Sequence, residues 1–147
     1  MKTVVVCIGN PEGGDDAVGP YLAKQLTSHQ TNNFIVINTE TVPENYTGVI
    51  KQHRPDQLII IDAVNMNLSP GSLRKIPPDK IGSMHISTHG IPLSVFINYL
   101  QQYIPDILVL GIQPKTMQGT LSSDVQQAAD HLVTLLTQQN TNKIKSL

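Results

Sequence analysis

A single cysteine, Cys7, is all the thiol this chain has. That excludes an internal disulfide framework and any CxxC-type metal site, and it suits a reducing cytoplasm. Charge of either sign is also scarce. Charged residues are 14%, the net charge is −1 and the pI is near 6.5, so no basic footprint for nucleic acid or an acidic membrane surface is present. No apolar run approaches the roughly 20 residues of a membrane span. The run Val4 to Ile8 is too short for a signal peptide and leads straight into a glycine turn. Repeats, low-complexity tracts and linkers are missing as well. What remains is 147 residues, enough for one domain with a real core. We read residues 1–147 as that domain, with the polar stretch 140–147 as a frayed tail.

The chain is organised around Val6 to Gly19. A β-branched run, Thr3 to Ile8, enters a glycine-rich turn, and an amphipathic helical pattern leaves it. Such turns cradle phosphates when they are neutral or basic. This one carries Glu12, Asp15 and Asp16, which favours a cation instead. A GxGxxG dinucleotide fingerprint would need glycines where Cys7 and Glu12 stand, and it is excluded.

Val4–Ile8, Phe34–Ile37, Leu58–Ile61 and Ile107–Ile112 are continuous apolar runs, as expected of strands buried on both faces of a parallel sheet. Helical patterns alternate with them. The first starts at Asp15 or Asp16, with Val18, Tyr21, Leu22 and Leu26 inward. A second, opened by Pro43, turns Val49 and Ile50 inward. A third begins with Pro92 at its first position, and the last follows Ser122 or Ser123 with Val125, Ala128, Ala129, Leu132, Val133 and Leu136 on one face. Ser72 to Ile76 reads as a short edge strand; 79–90 and 113–121 read as irregular loops. The fold class is α/β: a three-layer sandwich with a mostly parallel twisted sheet flanked by helices.

In that architecture the loops after the strand ends gather along one edge, where ligands bind. Asp15 and Asp16 follow the first strand, Asn38 and Glu40 the second, and Asp62 ends the third. His85 and His89 lie in the loop before the third helix. Two carboxylates and an imidazole, Asp16, Asp62 and one histidine, would hold a metal with positions left open. Each also has a plain structural role available. Asp15 or Asp16 can cap the helix. Asp62 can serve as a turn residue at the sheet edge, and either histidine can bond loop backbone. His29, His53 and His131 read as solvent-facing, and Cys7 as a packed thiol.

Taken together, these residues resemble a known family. Gly9-Asn10 with Asp15-Asp16 and Gly19, Ile61-Asp62-Ala63, Pro70-Gly71, Ser87-Thr88-His89 with Pro92, and Leu110-Gly111-Ile112-Gln113-Pro114 run in the order seen in hydrogenase maturation endopeptidases. Pro43-Glu44-Asn45 and Ile112-Gln113-Pro114 look most like the hydrogenase-3-type branch. The resemblance implies a protease that removes the C-terminal extension of a nickel-iron hydrogenase large-subunit precursor after nickel insertion. It implies that Asp16, Asp62 and His89 serve as catalytic and metal-contacting residues, with Gly9, Asn10 and Asp15 facing substrate. It also implies no tightly bound cofactor, because the nickel arrives with the substrate. The expected partner is the precursor, not nucleic acid or membrane, and the expected location is the cytoplasm. Cys7 stands where many members have glycine, and Asn38 where an acid is common. The sequence does not demonstrate a pairing that would raise one aspartate's pKa, so a protonated aspartate dyad is not expected. The alternative reading is a non-catalytic nickel metallochaperone or sensing module.

Overall fold

The computed structural model describes residues 1–83 and 90–147. Five strands form one sheet in the order β2-β1-β3-β5-β4: β1 Thr3–Ile8, β2 Phe34–Glu40, β3 Gln57–Ala63, β4 Leu73–Lys75 and β5 Asp106–Ile112. The first four in that order run parallel, and β4 is antiparallel to β5 at the edge. β1 and β3, the most central strands, are buried along almost their whole length, as their unbroken apolar runs require.

Strand alternation divides the core in two. Val4, Val6, Ile8, Leu58 and Ile60 pack with Ile50, Ile81, Phe96 and Leu100 on one face. That layer is built from helices α2 Thr47–Gln52, α3 Pro78–Ile81 and α4 Leu93–Leu100. On the other face Val5, Cys7, Ile59 and Ile61 pack with Val18, Leu22, Ala129 and Leu132. Those side chains come from α1 Val18–Leu26 and α5 Ser123–Thr137. Among the described residues no helix is long and apolar enough to cross a membrane.

Several boundaries differ from the sequence reading, each for a local reason. Gly14–Ala17 winds as a 3₁₀ turn and α1 begins only at Val18, so neither Asp15 nor Asp16 caps it. Pro92 precedes α4 instead of opening it. Asn38 and Glu40 lie within β2 and not after it. Ile50 is buried but Val49 is exposed, because a helix as short as α2 buries only a narrow stripe. The short α3 lies in the stretch read as loop. Nor do residues 140–147 fray. Ile144 is buried, the Lys75 N–H donates to the Lys145 carbonyl, and the Leu147 N–H donates to the Lys75 carbonyl. The tail therefore lies against the outer side of β4 and occupies backbone groups that an edge strand leaves open.

Candidate active site

The β1 turn is built by close approach of backbone to backbone. A Cβ on Gly9 would stand 1.9 Å from the Asp16 carbonyl oxygen, so only glycine allows that contact. The next residue, Asn10, donates its N–H to Asp16 Oδ2 at 2.9 Å, while its own side-chain oxygen accepts the Glu12 N–H at 2.9 Å. Gly9 and Asn10 thus make the seat that aims Asp16.

Asp15 points the other way. Its Oδ2 accepts the N–H groups of Lys115 (2.7 Å) and Thr116 (3.1 Å) and the Ser122 hydroxyl (2.9 Å), and its Oδ1 accepts the Ser122 N–H (2.7 Å). Burial pushes this carboxyl's pKa up, but the donors outweigh it and hold the acid below its ordinary range. Ser122, expected as the α5 cap, uses its hydroxyl here and makes no side-chain cap bond to the helix. Gly14, with φ +61, lies so close to Gln118 that a Cβ would meet its backbone at 2.6 Å. The 113–121 loop is therefore fastened to the turn after β1 by a buried carboxylate, and Asp15, expected against substrate, is a buried tie.

Asp62 lies one residue inside the end of β3, on the face of Leu58 and Ile60. A solvent-edge position is what the sequence suggests for it, but it is fully buried. Among the described residues neither of its carboxylate oxygens has a well-aligned hydrogen-bond partner; only the adjacent Ala63 amide lies near. Burial raises its pKa well above the usual carboxylate range, and the negative charge of Asp16 raises it further; the Ala63 amide pulls the other way without winning. Asp16 and Asp62 thus share one electrostatic site, in which Asp62 favours its protonated form. The pairing that the sequence could not demonstrate is therefore present, and it adds to the burial that raises Asp62.

His85 and His89 lie outside the described residues. Among the described residues no group of three metal-ligating side chains is assembled; the acidic pair supplies two. Cys7 is a packed thiol, and burial pushes its pKa to about 12. Glu12, His29 and His131 are exposed.

One residue was legible only as part of a motif. Gln113, just past β5, is buried, and its side-chain oxygen accepts the N–H groups of Met66 (2.6 Å) and Leu68 (3.3 Å). Its amide nitrogen donates to the Asn65 side chain at 3.1 Å. It clamps the segment that follows Asp62. The available signal was a polar residue directly after a continuous apolar strand.

Fold and site together define an α/β protein with an electrostatically coupled carboxylate pair at the carboxyl edge of a mostly parallel sheet. The chain belongs to the hydrogenase maturation protease family, whose sequence model matches residues 18–139. It is 41% identical over 115 residues to the hydrogenase 3 maturation protease of Escherichia coli K12, covering 78% of this chain and 74% of that one. To a putative hydrogenase maturation protease of Methanocaldococcus jannaschii it is 37% identical over 145 residues, covering 92% and 86%. A crystal structure of the hydrogenase 3 maturation protease superposes with a TM-score of 0.91 at 33% identity, covering 100% of this chain and 97% of the other. The chain is accordingly a hydrolase, an endopeptidase of hydrogenase maturation.

Proposed function

We propose that this endopeptidase removes the C-terminal extension of a nickel-iron hydrogenase large-subunit precursor after nickel insertion, and that it recognises the nickel already held by that substrate. One observation carries the reading: the Asp62 carboxylate, buried beside the charge of Asp16 and without a well-aligned hydrogen-bond partner among the described residues. A buried acid in that state costs stability, and a cation brought by a partner offsets the cost. Asp16, Asp62 and His89 would grasp the metal through oxygen and nitrogen. Such donors leave thiolates to the substrate, so the metal is inspected and not extracted. Carboxylates must be ionised to ligate, so docking would release the proton that Asp62 favours. Asn10 keeps Asp16 oriented meanwhile. The scissile peptide then lies beside the acidic pair, and the attacking water loses its proton there. The tied 113–121 loop forms one wall of the cleft. The buried free thiol of Cys7 is compatible with a cytoplasmic setting.

The test is to incubate nickel-loaded and nickel-free precursor with the protein and weigh the products. Loss of the extension from the loaded precursor only, abolished by Asp16→Asn, is the expected result. An unchanged mass in both would mean a chaperone, and equal cleavage of the nickel-free precursor would remove the proofreading role.

A further inference from the structure

Away from the acidic pair, α2 and α4 meet in a seam with an unusual surface. α4 carries no charged residue along Leu93–Leu100. Val95 and Tyr99 of α4, and Tyr103 in the turn just beyond it, are exposed by 50%, 39% and 54%. Facing them, Lys51 of α2 donates to the Tyr99 hydroxyl at 2.5 Å. Its ammonium also lies 4.9 and 4.6 Å from the ring centroids of Tyr99 and Tyr103. The two rings contact each other at 5.5 Å. Below them Lys51, Arg54, Pro55, Tyr103 and Ile104 line a cleft of about 230 Å³. No carboxylate among the described residues lies within 4.0 Å of Lys51 or Arg54; the one ion pair among those residues joins Lys115 to Asp124.

We infer that this seam is a docking site for the body of the precursor protein, and that it takes a surface of apolar side chains flanked by carboxylates. Charge decides the occupant. Two cations without an internal acid, next to tyrosines and a valine, are complementary to an acidic and apolar protein surface. Another copy of the same seam would bring only more positive charge. Tyrosine and arginine are also the residue types over-represented where interfaces concentrate their affinity. Position decides the role. α2 runs out toward the start of β3, and α4 toward the start of β5, so Arg54 and Tyr103 lie at the amino edge of the sheet. Asp16 and Asp62 lie at the carboxyl edge. The seam therefore reaches a part of the substrate remote from the bond that is cut. The inference rests on the protease reading above and adds to it a second point of substrate contact.

Two exposed-site variants test it: Tyr99→Ser with Tyr103→Ser, and Lys51→Glu with Arg54→Glu. Full-length nickel-loaded precursor is used, with binding read by surface plasmon resonance, cleavage by KM and kcat, and association by sedimentation. Expected are a roughly 10-fold or larger rise in Kd and KM for each double variant, with kcat within about twofold of the parent and the parent's circular dichroism spectrum retained. The charge-reversed variant should also lose the salt dependence of the association rate. Kd and KM within twofold of the parent in both variants would overturn the inference. So would a dimer of the parent protein that the tyrosine variant dissolves, since the occupant would then be a second copy. A parent that binds precursor without cutting it defeats the protease reading alone, and the Kd values still decide the seam.

Discussion

Removing the buried tie, Asp15→Ala, offers the sharpest check on how the 113–121 loop is held. Three backbone N–H groups and one hydroxyl converge on this carboxylate. Hydrogen bonds to a charged acceptor contribute about 1.5–3 kcal/mol each when the partner is simply removed. The full sum does not apply. Lys115 and Thr116 are exposed, so their amides regain water once the loop relaxes. The Ser122 pair is only half-buried and recovers less. A net loss of about 3 kcal/mol is expected, which for a chain of this size lowers the melting temperature by roughly 6–12 °C. The sign with pH follows from the lowered acid. The tie is at full strength above the unfolded carboxyl's range, near pH 4, and is lost as pH falls through the still lower folded value. Urea unfolding of parent and variant at pH 7 and at successively lower pH therefore gives a gap that closes in acid. Limited proteolysis should find new cuts in 113–121. A gap under about 0.5 kcal/mol at pH 7, the range of ordinary surface changes, or one that does not narrow in acid, would refute the argument.

Three further outcomes are expected. Asp62→Asn should abolish cleavage yet stabilise the free protein. A raised acid costs nothing below the unfolded carboxyl range. Its cost then grows by about 1.4 kcal/mol for each pH unit climbed, until the folded value is reached. Thermal scans should therefore show little difference near pH 3.5 and a higher melting temperature for the variant at pH 8. Gly9→Ala should drive a methyl into the Asp16 carbonyl and cost about 1–3 kcal/mol or more, with cleavage lost even where the fold survives, as read by circular dichroism beside the mass assay. Gln113→Ala should strand the Met66 and Leu68 amides, destabilise by about 2 kcal/mol in urea and lower kcat, because the segment after Asp62 loses its clamp.

The sheet was readable because β1, β3 and β5 are apolar on both faces, a pattern few other environments impose. The acidic pair was readable because parallel strands deliver their ends to one edge, so Asp16 and Asp62 could be brought together from topology alone. Burial at a strand end was not readable: Asp62 follows three isoleucines, and the sequence does not say whether the helix layer extends one residue further. Nor did it distinguish the partners of two adjacent aspartates. Asp15 faces a loop about 100 residues away, a long-range pairing with no local pattern. The docked tail escaped for the same reason, since Ile144 and Leu147 alone among polar residues are too few to set a periodicity.

The position of Cys7 has a practical use. The thiol is wholly enclosed in β1, between β2 and β3, and its pKa near 12 leaves almost no thiolate at neutral pH. An alkylating reagent can reach it only when the α1 and α5 layer lifts from the sheet or the strands separate, so labelling runs as a clock on opening of that half of the core. Nature has in effect supplied one internal reporter, and it needs no engineered probe. Timed alkylation followed by mass measurement would read the lifetime of that closed half directly, with and without the precursor present.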